Sequence, residues 1–207
     1  QEGEEVAAIV LTPYHHAAFG PSEMPAEGFW PGVEELCRER GIVLVLDDVR
    51  AGFRLHAGGS HRLFDFTPDL SCYSKALGNG YAISACVGRE EYRRAAREVF
   101  LTGSCWNDAV AMAAALKCLQ LAKEKNLVEN LDGLGRRLTD GLLSHAKKQG
   151  HSFVLTGPPV MPFPWFEEDD NLYLLQRFCG LCAEEGVFFH PHHNWFLCGA
   201  HAEADID

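Results

Sequence analysis

An α/β fold with a mainly parallel sheet, followed by a smaller α+β portion, is what this chain predicts. The first observation is an alternation: short apolar runs at residues 6–11 and 42–46 flank a helical pattern at 29–40. Strand–helix–strand order of this kind forms a right-handed crossover with parallel strands. The second is chemical. The run at 42–46 ends in two carboxylates, Asp47 and Asp48, and a single lysine, Lys75, follows the next apolar run. Ligands of open α/β sheets bind at the carboxyl ends of the strands. The third is a shift in composition after about residue 126, where strand patterns give way to a long amphipathic helix and then to Pro, Phe and Trp.

Taken in order, residues 6–11 are a β-rich run broken by Thr12-Pro13, as expected for a buried parallel strand. His15, His16 and Gly20-Pro21 read as loop. Residues 29–40 read as a helix with Pro31 in its first turn, Val33, Leu36 and Cys37 on one face, and Gly41 at its end. The continuous apolar run at 42–46 predicts a strand covered on both faces. In the loop over 49–59, Gly52 and Gly58-Gly59 permit unusual backbone angles. Residues 69–74 give the next strand, ending at Lys75, and 82–87 another at a neighbouring edge of the sheet.

Residues 90–100 read as a charged helix and 109–125 as a long alanine-rich one. Helix 126–149 places Leu127, Leu131, Leu134, Leu138 and Leu142 at spacings of three and four. Residues 172–185 read as helix, and 187–190 and 195–198 as short strands. The expected boundary divides the chain into 1–125, bearing the sheet, and 126–207, a smaller α+β domain.

The 207 residues are 47% hydrophobic and 23% charged, an ordinary globular composition. The net charge of −11 argues against a nucleic-acid surface, which needs clustered Lys and Arg. No run approaches the roughly 18 uninterrupted apolar residues of a membrane span, and no secretory signal opens the chain. The absence of an initial Met and the helix-like close at 204–207 make both ends read as cuts in a longer polypeptide. The eight cysteines (37, 72, 86, 105, 118, 179, 182 and 198) lie mostly inside apolar or helical patterns. That favours buried, reduced thiols in a cytoplasmic compartment over a disulfide framework. Cys179 and Cys182 form a CxxC within a helical stretch without a second such pair, so a packed helix face is favoured over zinc.

Lys75 stands at a strand end beside Gly78 and Gly80. An amine held partly desolvated there has a lowered pKa and becomes a nucleophile. Asp47 follows Leu44-Val-Leu46 directly, where burying a carboxylate is costly without a cationic partner. One chemistry uses such an acid and such a lysine together. Pyridoxal 5'-phosphate needs the lysine to anchor its aldehyde and the acid to keep its ring nitrogen protonated.

Leu46-Asp-Asp-Val-Arg-Ala-Gly-Phe-Arg54 resembles the Asp-Glu-Val-x-Thr-Gly-Phe-Arg segment of the class III aminotransferases, including the glutamate-1-semialdehyde aminomutase group. The resemblance continues through Phe66-Thr-Pro-Asp-Leu70, Ser74-Lys-Ala-Leu-Gly-Asn-Gly80, the Ser104-Cys-Trp segment and Glu185-Gly-Val. It covers nearly the whole chain, which resembles the second half of such an enzyme. It implies a fold-type-I homodimer that moves an amino group between a small amine or amino acid and a keto or aldehyde partner, or within one molecule. Lys75 then matches the Schiff-base lysine and proton carrier, Asp47 the acid at the pyridine nitrogen, and Val49 the apolar residue against the ring. Ser104, with Thr102, matches the hydroxyl position that binds the cofactor phosphate of the neighbouring subunit, where a helix N-terminus would suit an anion.

The sequence departs from that pattern in places. Asp48 stands for the usual Glu, Ala51 for Thr, and Thr12 where Glu is common before Pro13. The family's glycine-serine phosphate loop and stacking aromatic belong to a first half this sequence does not contain. A non-catalytic or cofactor-poor paralogue that keeps the dimer surface is therefore an alternative. A third reading, a metal-dependent hydrolase, rests on His190-Pro-His-His193 with His201. Packing or substrate contact is the favoured reading of those histidines. Arg54 is a candidate for a substrate carboxylate, with a structural role favoured.

Overall fold

Strands β1 (Ala8–Leu11) and β2 (Val43–Asp47) run parallel, joined by helix α1 (Phe29–Arg40), in a computed structural model that describes residues 5–16 and 20–207. Strand β3 (Leu70–Tyr73) adds parallel to β2, and β4 (Ala85–Gly88) adds antiparallel to β3, giving the order β1-β2-β3-β4. The register sets Asp47 opposite Cys72, and Cys72 opposite Cys86. The chain divides into two compact units: Gln1–Pro13 with Pro25–Val128, and Tyr14–Met24 with Glu129–Asp207.

In the first unit, α1 closes one face of the sheet. Trp30 and Cys37 are buried with Val33 packed beside them, whereas Leu36, expected on that face, is exposed. The indole of Trp30 stacks on Phe66 at 4.1 Å and donates its N–H to the Pro13 carbonyl at 2.9 Å, so its one polar group is satisfied in the core. Gly41 ends the helix with φ +65. Leu44 and Leu46 are fully buried against this cluster, but Val43, Val45 and Asp47 on the opposite face are only half-buried. The expectation of a strand covered on both faces thus holds for one face only.

The loop after β2 shows two different uses of glycine. Gly59 adopts φ +99, but Gly52 is required for space: a Cβ there would lie 2.6 Å from the Asp48 carbonyl oxygen and 2.7 Å from the Tyr73 ring. The charged segment after β4 is a single 3₁₀ turn, Glu90–Tyr92, leading into short helix α2 (Arg93–Glu98), with ion pairs Arg93–Glu90 and Arg94–Glu98 on its surface. Helix α3 (Ala109–Glu124) follows and sets Ala115 against Tyr73 and Leu77.

The second unit takes α4 (Leu127–Lys148) from Glu129 onward, a β5–β6 hairpin (Phe153–Thr156 and Phe163–Phe166), α5 (Tyr173–Glu184) and short α6 (Glu203–Ile206). Its core joins Phe153, Phe166, Leu175, Cys179 and Trp195, with Leu142 and Leu143 of α4 packed on it. Two expectations fail here. Residues 187–190 and 195–198 are not strands, although Trp195 and Leu197 donate backbone N–H groups to the Pro162 and Val160 carbonyls at 2.8 and 3.1 Å. Pro162 has no N–H to return, so no ladder propagates. The hairpin itself escaped the sequence pattern because Pro164 lies within β6, which is confined to a two-stranded sheet where proline is tolerated.

Candidate active site

At the carboxyl end of β2 the two acids part company. Asp47 is half-buried, and its Oδ1 accepts the Val49 N–H at 3.2 Å, a local turn that holds the carboxylate at the strand end. Asp48 is 1% exposed; its Oδ2 accepts the Ser60 N–H at 2.8 Å and its Oδ1 the Ser60 hydroxyl at 2.6 Å. Burial pushes its carboxyl above the ordinary value, the Ser60 hydrogen bonds pull the other way, and the charge of Asp47 adds to the rise. The buried acid of the pair is therefore Asp48 and not Asp47. Serine in place of a cation suffices because the group is hydrogen-bonded at both oxygens. Ser60 was not among the residues the sequence singled out; the available signal was its place directly after Gly58-Gly59, which lets the loop fold back on β2.

The Asp48 backbone N–H donates to the Cys72 carbonyl at 3.0 Å, and its carbonyl accepts the Gly52 N–H at 2.8 Å. Arg54 donates from its guanidinium to the Arg50 carbonyl and closes the same loop, which fits the structural role expected of it.

Lys75 opens a 3₁₀ turn, Lys75–Leu77, immediately after β3. Its φ of +45 is left-handed, a conformation that costs a non-glycine residue about 1–2 kcal/mol. The turn holds it there: the Lys75 carbonyl accepts the Asn79 N–H at 2.8 Å and the Gly78 N–H at 3.2 Å, and Ser74 Oγ donates to the Ile83 carbonyl at 2.8 Å. Gly78 is required for this reversal, since a Cβ would lie 2.3 Å from the Tyr81 carbonyl oxygen. The lysine is exposed. The expected desolvation of the amine is not met by this chain alone, because the flanking glycines bring no side chain to cover it. Asp47 pairs with Cys72, and Lys75 follows two residues after the end of β3 on the neighbouring strand, so acid and amine share one edge of the sheet.

Thr102 and Ser104 lie exposed in the segment before α3. The helix does not begin at Ser104 but at Ala109, and its N-terminus is already capped: Asp108 accepts the Val110 and Ala111 N–H groups at 3.0 and 3.4 Å. The anion-suited helix end expected at Ser104 is thus answered by the chain's own carboxylate. A cleft of about 630 Å³ is lined by Ser74, Ile83, Ser84, Gly103, Cys105 and Trp106, which include the sequence neighbours of Lys75 and Ser104 but neither residue itself.

A larger cavity, about 970 Å³, lies in the second unit and contains none of these residues. It adjoins the histidine loop, where ring nitrogens serve the backbone: His190 Nδ1 accepts the His192 N–H, His193 Nδ1 bonds the Asn194 carbonyl, and His201 Nδ1 accepts the Cys198 N–H. Among the described residues, no group of three or more His, Cys, Asp or Glu is placed to hold a metal ion. The residue chemistry favours the smaller cleft as the site. Cys179 and Cys182 share α5, and Cys179 belongs to the core, its thiol pushed up to about 11 by burial and by Cys182. The expectation of buried thiols holds for Cys37 and Cys179, while Cys86, Cys105 and Cys198 are exposed.

The mainly parallel sheet, with an exposed lysine and a carboxylate at adjacent strand ends, makes this an α/β domain with a polar site at its edge. The chain belongs to the aminotransferase class-III family, whose family model matches residues 1–197. It is 38% identical over 202 residues to an aminopentol aminotransferase of Sphingopyxis macrogoltabida, covering 98% of this chain and 48% of that protein. It is 33% identical over 220 residues to a glutamate-1-semialdehyde 2,1-aminomutase of Opitutus terrae, covering 98% and 51%. In three dimensions it superposes with a TM-score of 0.95 on the PLP internal aldimine form of the Sphingopyxis sp. MTA144 FumI protein, at 38% identity over 98% of this chain and 49% of that one. An acetylornithine aminotransferase from Elizabethkingia anophelis shares the fold at a TM-score of 0.84 and 19% identity, covering 100% and 52%. The chain spans about half the length of the curated relatives it matches.

Proposed function

We propose that this chain supplies the amine and the acid of a pyridoxal 5'-phosphate enzyme that transfers an amino group. The transfer runs between a small amine or amino acid and a keto or aldehyde partner, or within one molecule. The observation that carries the reading is the placement of Asp47 and Lys75 at adjacent strand ends. Aminotransferase and aminomutase relatives at 30–38% identity support the reaction class.

The donor set fits the cofactor: a half-buried carboxylate for the ring nitrogen and a primary amine for the carbonyl carbon. When bound, pyridoxal phosphate supplies an electron-sink ring that stabilises negative charge on a substrate carbon. Asp47 is the carboxylate that would accept the ring N–H and so favour the protonated nitrogen. Val49, whose N–H is held by Asp47, has an apolar side chain that would pack on one face of the ring. Lys75 Nζ is the amine that would hold the cofactor, and it would also serve as the base that moves a proton at the reacting carbon. Ser104, with Thr102, offers exposed hydroxyls that would hold the phosphate of a partner subunit's cofactor.

The same reading makes residues 1–125 the second half of a cofactor-binding large domain and 126–207 a small α+β domain. Homodimerisation is supported by the apolar side chains exposed on and before α3: Phe100, Trp106, Val110 and Leu116. Among the described residues no helix is long and apolar enough to cross a membrane. A cytoplasmic setting is supported by eight free cysteines, and the net charge of −11 supports small-molecule partners over nucleic acid.

A second reading, a paralogue that keeps the dimer surface but binds cofactor poorly, is favoured by the exposure of Lys75. Titrating the chain with pyridoxal phosphate separates the two. A saturable absorbance change that Lys75→Ala abolishes supports the enzyme; one that survives Lys75→Ala removes the central assignment. A chain that shows no saturable change supports the second reading.

A further inference from the structure

Cys72 and Cys86 face each other directly across β3 and β4, in the row that continues from Asp47 through the β2–β3 pair. Opposed residues of an antiparallel pair alternate between two spacings. The Cys72 carbonyl accepts the Asp48 N–H, so its backbone groups are turned to β2 and not to β4. The Cys72–Cys86 pair is therefore of the non-hydrogen-bonded kind, in which Cα atoms stand about 4.5 Å apart and side chains approach most closely. That lies within the roughly 4.4–6.8 Å that a disulfide spans. No other cysteine pair of the sheet shares this register.

We propose that Cys72 and Cys86 are a thiol–disulfide modification site, closed by peroxide and reopened by small thiols. The two members have different surroundings. Cys86 is exposed, whereas Cys72 is half-buried and its thiol is pushed up to about 11, first by burial and then by Cys86. Cys86 is thus the thiol that meets the oxidant, and Cys72 the one that resolves it. The Cys86 thiolate attacks hydrogen peroxide, an S–O bond forms as the O–O bond breaks, and with proton uptake a sulfenic acid and one water result. The Cys72 sulfur then attacks the Cys86 sulfur, and the hydroxyl leaves with the Cys72 proton as a second water. Both sulfurs are oxidised and one peroxide is reduced. Exposure of Cys86 makes the bond accessible to a reducing thiol, which is the property of labile rather than structural disulfides.

The test is covalent, so its result is independent of the cofactor reading. The reduced, folded chain is treated with hydrogen peroxide, its remaining thiols are alkylated, and the digest is mapped without reduction. The expected result is a peptide pair linked through Cys72 and Cys86, a chain lighter by two hydrogen atoms, two fewer alkylated thiols, and full reversal by glutathione. In Cys72→Ser the linked pair is absent and dimedone traps a sulfenic acid on Cys86. Alkylation of both Cys72 and Cys86 while other cysteines oxidise would overturn the proposal, as would either residue found linked to a different cysteine.

Discussion

The edge of the sheet over residues 47–80 and the loop over 186–201 both concentrate side chains able to do chemistry, but they hold them differently. At the sheet edge, backbone hydrogen bonds shape the turns: Lys75 is fixed in a left-handed conformation by its neighbours' N–H groups, and its amine is exposed. In the histidine loop, Nδ1 atoms of three rings are engaged by the backbone nearby, at His190, His193 and His201. A cluster of potential ligands is therefore not a site when its polar atoms already secure its own loop. The contrast recurs within the sheet edge itself. Asp48 is committed to Ser60 and buried, while Asp47 stays half-buried at the strand end.

The sharpest way to break this comparison is Asp47→Ala. Losing a charge-assisted hydrogen bond, about 1.5–3 kcal/mol, should weaken cofactor binding roughly ten- to a hundred-fold in an absorbance titration. An unchanged affinity would move the ring-nitrogen role away from Asp47. Next in size is Gly52→Ala, whose Cβ meets the Asp48 carbonyl oxygen and the Tyr73 ring at 2.6 and 2.7 Å. Overpacking of this kind costs about 1–3 kcal/mol, read as a lower urea midpoint.

Asp48 sharpens the comparison through pH. Its native pKa is raised above the ordinary 3.8, so the unfolded chain releases the proton first as pH rises. The contribution of this group to stability is fully present below the ordinary value and is lost as pH climbs through the native one. Asp48→Asn abolishes that titration, so as pH rises above the ordinary carboxyl value the variant should gain stability relative to the natural protein. A constant difference across that range would show that Asp48 does not hold its proton on folding. The smallest effect is expected from His190→Ala. It removes one exposed hydrogen bond to the His192 N–H, costs about 0.5–1 kcal/mol, and leaves cofactor titration unchanged. A loss of cofactor binding there would put chemistry back into the histidine loop.

What was legible in the sequence is what local periodicity and end signals govern. Helix α1 has the predicted bounds, with Gly41 closing it, because an apolar stripe and a left-handed glycine are both local features. The βαβ unit and the parallel pairing of β1 with β2 followed from alternation alone. Legibility failed where a partner distant in the sequence decides. Ser60 buries Asp48 from twelve residues away, and the hairpin at β5–β6 depends on a two-stranded pairing that accepts Pro164. The strand expected at 195–198 has apolar composition but meets Pro162, which cannot return the hydrogen bond that Trp195 gives it. The Cys72–Cys86 pair is likewise invisible without register, since fourteen positions of sequence separate two residues that face each other.

The most direct measurement is borohydride reduction of the chain incubated with pyridoxal phosphate, followed by peptide mapping of the modified lysine. The account predicts a single reduced adduct on Lys75, lost in Lys75→Ala. An adduct distributed over Lys117, Lys123 and Lys125, with Lys75 unmodified, would contradict it.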